Sequence, residues 1–157
     1  MKLKQKQPVV YCAMSGDIIH HGHINILKIA KNYGYVVLGI LTNNAIKTYK
    51  QPPITNFKER KLVLESIKYV DRVIPQNTHD YTNNVKKLKP EFVIHGDDWV
   101  KGPQKHIRKK LINTLKMWNG KLIEPKYTKN ISSTIIKKKI KTNKKMELIK
   151  SKNLLET

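Results

Sequence analysis

Five short apolar runs punctuate the chain: "PVVYCAM" (8–14), "YVVLGIL" (35–41), "VDRVIP" (70–75), "EFVIH" (91–95) and "KLIEP" (121–125). They are continuous and rich in β-branched residues rather than alternating, the pattern of strands buried on both faces. Helical segments separate them. Strands joined by helical crossovers run parallel, because a crossover returns the chain to the same end of the sheet. The expected architecture is therefore α/β, a doubly wound parallel sheet of five strands.

The helices are legible by their ends. From Gly22, apolar positions at Ile24, Leu27 and Ala30 share a face, and Gly34 is a C-cap. Residues 43–56 read as a polar loop with a short helical turn, stopped by Pro52 and Pro53. Asn56 with Glu59 forms a capping box for a helix starting at Phe57. A short helix is expected over 80–89, and another over 104–118 with Ile107, Leu111, Leu115 and Trp118 on one stripe. The last, basic helix is expected over 131–150. The 157 residues suit one domain. A catalytic unit is expected over 1–140, followed by a basic helix end or tail over 141–157.

Composition excludes several classes. There is no run of eighteen apolar residues, so no membrane span is expected. The basic start "MKLKQKQPVVYCAM" is too briefly apolar for a signal peptide, which makes the cytoplasm the expected location. Cys12 is the only cysteine, which removes internal disulfides and cysteine-based zinc sites; it reads as a buried strand residue. The net charge is +21, a value that draws attention to nucleic acid. Yet arginine occurs only at Arg60, Arg72 and Arg108, and planar phosphate recognition favours arginine. Most lysines read as solvated surface whose field attracts a small anion.

Every unusual polar cluster follows a strand: "SGDIIHHGH" the first, "TNN" the second, "PQNTHD" the third, "HGDDW" the fourth, "YTKNISST" the fifth. In a doubly wound sheet ligands bind outside the carboxyl ends of the strands, so these clusters mark one site. His20 and His23, with Gly22 between them, fall at a helix N-terminus, where backbone N–H groups and the helix dipole favour an anion. Metal binding and simple capping are the other readings. His79, His95 and His106 lie scattered along the sequence, which weakens the metal reading. Ser132, Ser133 and Thr134 are either helix caps or a second phosphate cradle. Asp97 and Asp98 either accept hydrogen bonds from a nucleoside or lie in a solvated turn. Trp99 stacks on a ligand or closes the core, and Asp17 orients a histidine or helps hold a metal. Neither a P-loop nor a GxGxxG turn is present.

"DIIHHGH", "ER" (59–60), "IKYVDRVIP" (67–75), "GDDW" (96–99) and "ISST" (131–134) together resemble the small cytidylyltransferases of the glycerol-3-phosphate type, Rossmann-like members of the HxGH nucleotidyltransferase superfamily. "MSGDIIHHGHINILKIA", "HGDDWVKGPQK" and "EPKYTKNISST" are similar to a branch of that family, the nucleotidyltransferase domain found with phosphoenolpyruvate mutase in phosphonate biosynthesis. The chain departs from the glycerol-phosphate pattern at Met14–Asp17 and at Tyr127, and Asn130 replaces a glycine at a left-handed turn.

The resemblance implies transfer of CMP from CTP to a small phosphonate, 2-hydroxyethylphosphonate or 2-aminoethylphosphonate, or to glycerol 3-phosphate or another polyol phosphate, with pyrophosphate released. It implies His20, His23 and Lys47 as catalytic residues. Ser15, Asp17, Gly22, Arg60, Gly96, Asp97, Ile131, Ser132, Ser133 and Thr134 would hold the nucleotide. Lys50, Gln104, Lys105, Arg108 and Tyr127 would meet the second substrate, and His21 would be dispensable. Magnesium would bridge phosphate oxygens, with Asp17 its candidate protein ligand. A homodimer is implied, without specific nucleic acid or membrane partners. An adenylyltransferase on the same fold and a basic nucleic-acid-binding protein are the competing readings.

Overall fold

A computed structural model describes residues 7–155, with side chains to Glu147. Its elements are β1 (Val9–Met14), α1 (His21–Tyr33), β2 (Tyr35–Leu41), α2 (Asn43–Lys47), α3 (Phe57–Glu65), β3 (Arg72–Gln76), α4 (Thr82–Leu88), β4 (Phe92–Ile94), α5 (Lys105–Leu115), β5 (Lys121–Ile123) and α6 (Ser133–Leu155). Short 3₁₀ turns cover Asp97–Trp99 and Lys116–Trp118. The sheet is five-stranded, in the order β3-β2-β1-β4-β5, and every pairing is parallel. The expected α/β, Rossmann-like architecture is what the chain adopts.

Alternation along the central strands sends side chains into two cores. Val10 and Cys12 join Leu27 and Ala30 of α1 and Leu64 of α3 on one face. Tyr11 and Val37 join Val85 of α4 and Ile107, Leu111 and Leu115 of α5 on the other. Gly39 is fixed by this packing. A Cβ there would stand 2.0 Å from the Tyr11 hydroxyl, which lies buried against Gln76 and Asn84.

The Asn56–Glu59 capping box forms as read, with Glu59 N–H donating to Asn56 Oδ1 at 3.0 Å and Asn56 N–H to Glu59 Oε2 at 2.7 Å. Several boundaries move, among them three with a visible cause or consequence. β3 starts at Arg72, because Asp71 turns its carboxylate back to accept from the Val36 amide at 2.8 Å. α5 ends at Leu115, where a 3₁₀ turn leads to left-handed Asn119 at φ 61°. α6 starts at Ser133 and runs unbroken past residue 140. Among the described residues no helix is long and apolar enough to cross a membrane.

The strand order reverses between β1 and β4. Loops leaving neighbouring strands there diverge to opposite faces and open a crevice. That crevice holds the site.

Candidate active site

α1 begins with a histidine version of the capping box. His20 is the N-cap, with its Nδ1 accepting from the Gly22 amide at 3.2 Å. The His20 amide in turn donates to Nδ1 of His23 at 3.3 Å. A neutral imidazole that accepts at Nδ1 carries its proton at Nε2. Each ring therefore keeps an Nε2–H for the cavity it lines. Burial, then the His20 ring and the Lys50 ammonium, push His23 down to about 4. Burial, then His21, lowers His20. The ring centroids are 3.9 Å apart, a spacing that neutral donors tolerate and two imidazolium ions would not. Gly22 is needed for this arrangement, since a Cβ would meet the His20 ring at 3.0 Å. Its space is thus taken up by the imidazole of His20.

The N-terminus of α6 meets the same cavity, bringing Ser132, Ser133 and Thr134. Asn130, left-handed at φ 62°, turns the chain into it. Ser132 Oγ caps the Ile135 amide at 3.1 Å, and Ser133 Oγ donates to the Ile18 carbonyl at 3.1 Å. These residues also line the cavity. Two positive helix ends thus converge on about 260 Å³ of cavity.

Asp17 binds the walls together. Oδ1 accepts from the Ile54 and Thr55 amides at 2.7 and 3.2 Å, and Oδ2 from Lys137 Nζ at 2.5 Å. Burial pushes its carboxyl up, but the Lys137 ammonium and the two amides hold it below the ordinary value. With both oxygens engaged, Asp17 clamps these walls to one another. Among the described residues no three of His, Cys, Asp or Glu stand together to hold a metal ion.

Of the expected residues, Ser15, His20, Gly22, His23, Lys50, Gly96, Gln104, Tyr127, Ser132, Ser133 and Thr134 line the cavity. Others do not. Lys47 projects to solvent, because α2 buries Ala45 and Ile46 on its opposite side. Lys50 is the ammonium that arrives, 2.9 Å from Ser15 Oγ; burial and then Lys137 lower its pKa. Arg60 is 1% exposed and works as a staple. Its Nη1 donates to the Ser15 and Leu41 carbonyls at 2.5 and 2.7 Å, and its Nη2 to Asn43 Oδ1 at 2.6 Å. It ties the loop after β1 to the end of β2 and is not placed to meet phosphate.

Asp97 is exposed and holds the loop after β5, its Oδ1 accepting from the Tyr127 amide at 2.8 Å. Asp98 lines the cavity instead. Ile131 stands behind Gly22, with its carbonyl accepting from the Tyr127 hydroxyl at 3.3 Å. Lys105 is exposed at the start of α5. Arg108 is spent on Glu124 in a bidentate pair, Nε and Nη2 each at 2.6 Å. His21 is exposed and off the cavity.

His79 and His95, distant in sequence, join His20 and His23 around the cavity. His95 stacks on buried Trp99 at 3.7 Å between centroids, so Trp99 closes the core and supports a histidine. His95 Nδ1 lies 2.7 Å from the Gly96 carbonyl, which makes Nδ1 the donor. The signal that could have found both histidines was position alone: each follows a strand at the sheet end where the other clusters lie.

The family described as cytidylyltransferase-like matches residues 15–139. An ethanolamine-phosphate cytidylyltransferase of Arabidopsis thaliana is 36% identical over 61% of this chain and 24% of its own length. A glycerol-3-phosphate cytidylyltransferase of Bacillus subtilis is 35% identical over 53% of this chain and 66% of its own. An FAD synthase of Archaeoglobus fulgidus is 33% identical over 62% and 73%. The chain thus spans about a quarter of the plant relative. The crystal structure of a lipopolysaccharide core biosynthesis protein from Thermoplasma volcanium superposes with a TM-score of 0.66 at 24% identity, over 77% of this chain and 98% of that one. At that identity the likeness speaks for the fold.

Proposed function

The chain belongs to the cytidylyltransferase-like family, and on that premise we propose that it transfers a cytidylyl group from CTP to a small phosphonate or phosphate monoester. The observation that carries this reading is the convergence of the α1 and α6 N-termini, with His20, His23 and Ser132–Thr134, on one cavity beside Lys50. An oxygen of the acceptor attacks the α-phosphorus of CTP and forms the new P–O bond. The bond from that phosphorus to the bridging β-oxygen breaks, and pyrophosphate leaves with the electron pair. Phosphate monoesters lose their second proton near pH ~6, so the attacking oxygen is already ionised and needs no general base. Catalysis then consists of positioning and charge stabilisation. The Nε2–H groups of His20 and His23 and the Lys50 ammonium are suited to both. Magnesium belongs to the same proposal, as a bridge between phosphate oxygens, and no step here depends on it.

Relatives act on ethanolamine phosphate and glycerol 3-phosphate by their names; these and the hydroxyethyl and aminoethyl phosphonates form the acceptor panel. Adenylyl transfer is the second reading, favoured by the FAD synthase relative. Pyrophosphate release measured with CTP and with ATP decides between them. CTP turnover with one of these acceptors is expected, and equal or greater use of ATP would overturn cytidylyl transfer. The homodimer belongs to the same proposal, and sedimentation equilibrium of the full chain tests it.

A further inference from the structure

The cavity has a side that the nucleotide reading leaves unused. His20, His23 and Ser132–Thr134 come from α1 and α6. To the same cavity the loop after β2 brings Tyr49, the loop after β3 brings His79, and the N-cap of α5 brings Gln104. These three brace one another. The rings of Tyr49 and His79 stack at 4.2 Å and 8°, and His79 Nε2 lies 3.2 Å from Gln104 Nε2. An imidazole stacked on one face and held at one nitrogen has a fixed direction, as a recognition group requires.

The chemistry of this side is polar, uncharged at its surface and set in a positive field. Lys50 Nζ is 5.3 Å from the centre of the Tyr49 ring. Burial, then His95, Lys50 and His106, all disfavour a cation at the His79 ring. A substrate ammonium placed against that ring would meet the same field. The carboxylate that does line the cavity, Asp98, faces His95 rather than His79, its Oδ1 3.7 Å from His95 Nδ1. A hydroxyl both donates and accepts, which matches a neutral imidazole beside an amide. An ammonium only donates, and here it would lose water without gaining a counter-charge.

Resting on the cytidylyl-transfer reading, we propose that His79, held by Tyr49 and Gln104, reads the far end of the acceptor and selects an uncharged hydroxyl tail over an ammonium tail. One hydrogen bond made by the right tail, with one cation left unpaired by the wrong one, corresponds to a preference of about tenfold or more.

The test uses the full chain with CTP and two matched acceptor pairs: 2-hydroxyethylphosphonate against 2-aminoethylphosphonate, and glycerol 3-phosphate against ethanolamine phosphate. The hydroxyl member of each pair is expected to give the higher kcat/KM by about tenfold. His79→Ala is expected to raise KM for the hydroxyl acceptor by a similar factor while the Kd for CTP stays within about twofold. Gln104→Glu, which puts a carboxylate beside His79, is expected to move the preference toward the ammonium acceptor. Preference for the amine in the unmodified chain overturns this proposal alone. So does a His79→Ala variant with unchanged acceptor KM and unchanged preference. Absence of pyrophosphate release with all four acceptors overturns the cytidylyl-transfer reading, and this proposal with it.

Discussion

The His23 ring donates toward the cavity and accepts the His20 amide at the start of α1. His23→Ala is expected to lower turnover ~10²-fold, the scale of a lost charge-stabilising donor, while circular dichroism shows the fold retained. Near-normal turnover would remove His23 from the mechanism. The same ring ties stability to pH. In the unfolded chain it takes a proton near 6.5, and in the native protein only near 4. The unfolded state therefore binds more protons between those values. The neutral ring's contribution is complete above about pH 6.5 and is lost as pH falls toward 4, by up to about 3 kcal/mol. Urea midpoints followed from pH 7 to pH 4.5 are expected to fall less steeply in His23→Gln than in the unmodified protein. A third expectation separates two lysines of equal appearance in the sequence. Lys50→Ala should cost ~10-fold or more in turnover and Lys47→Ala less than about twofold, because only the first reaches the cavity. Sequence offered both lysines above the site but could not tell which way the short α2 would face. The two aspartates of "GDDW" pose the same difficulty: Asp97 is taken by the Tyr127 amide, and that fixes which of them meets the cavity. The resemblance implied Arg60 as a nucleotide-holding residue, but its donors are spent on the Ser15 and Leu41 carbonyls and on Asn43 Oδ1.

At the scale of elements, the strands were legible because continuous apolar runs have few alternatives, and the capped helices because Asn56, Glu59 and Gly34 are local signals. What was not legible was how elements are joined. Asp17 holds Lys137 of α6 and the amides of Ile54 and Thr55 before α3, partners that lie 120 and about 40 residues away in sequence. The convergence of His95 with the α1 histidines is equally a product of strand order, which puts the ends of β1 and β4 side by side, and His79 reaches the same cavity from the loop after β3, two strands from β1. This coupling makes a specific prediction. The pair has side-chain exposures of 2% for Asp17 and 28% for Lys137, so it is shielded from solvent on one side. A double-mutant cycle of Asp17→Asn and Lys137→Met is expected to show coupling of about 1–2 kcal/mol in stability. Both single variants should also weaken CTP binding, since the α6 N-terminus is no longer held against the loop after β1. Additive effects on stability would show that the clamp is dispensable.

At the scale of the whole molecule, the +21 charge acts on every anion, whereas the cavity acts on the one that fits, and salt separates the two. A triphosphate approaching a strongly basic protein is steered by long-range field. That field is screened over ~10 Å at 0.1 M salt and ~3 Å at 1 M. The contacts of His20, His23 and the two helix ends lie inside the cavity, shorter than either length, and are neutral donors or partial charges. KM for CTP is therefore expected to rise several-fold between about 0.05 and 0.5 M salt while kcat stays within about twofold. Binding of uncharged cytidine should not change over the same range. Nucleic acid provides the contrast. A protein built to bind it loses ~10³–10⁵ in affinity between 50 and 200 mM salt when it makes six to ten phosphate contacts. Here binding to a mixed-sequence duplex is expected to be weak at physiological salt, because the chain offers lysines where recognition favours arginine, and two of its three arginines, Arg60 and Arg108, are committed to internal partners. A steep salt slope with tight duplex binding at 0.15 M would assign the charge to nucleic acid. A salt-dependent KM with constant kcat assigns it to gathering the nucleotide substrate.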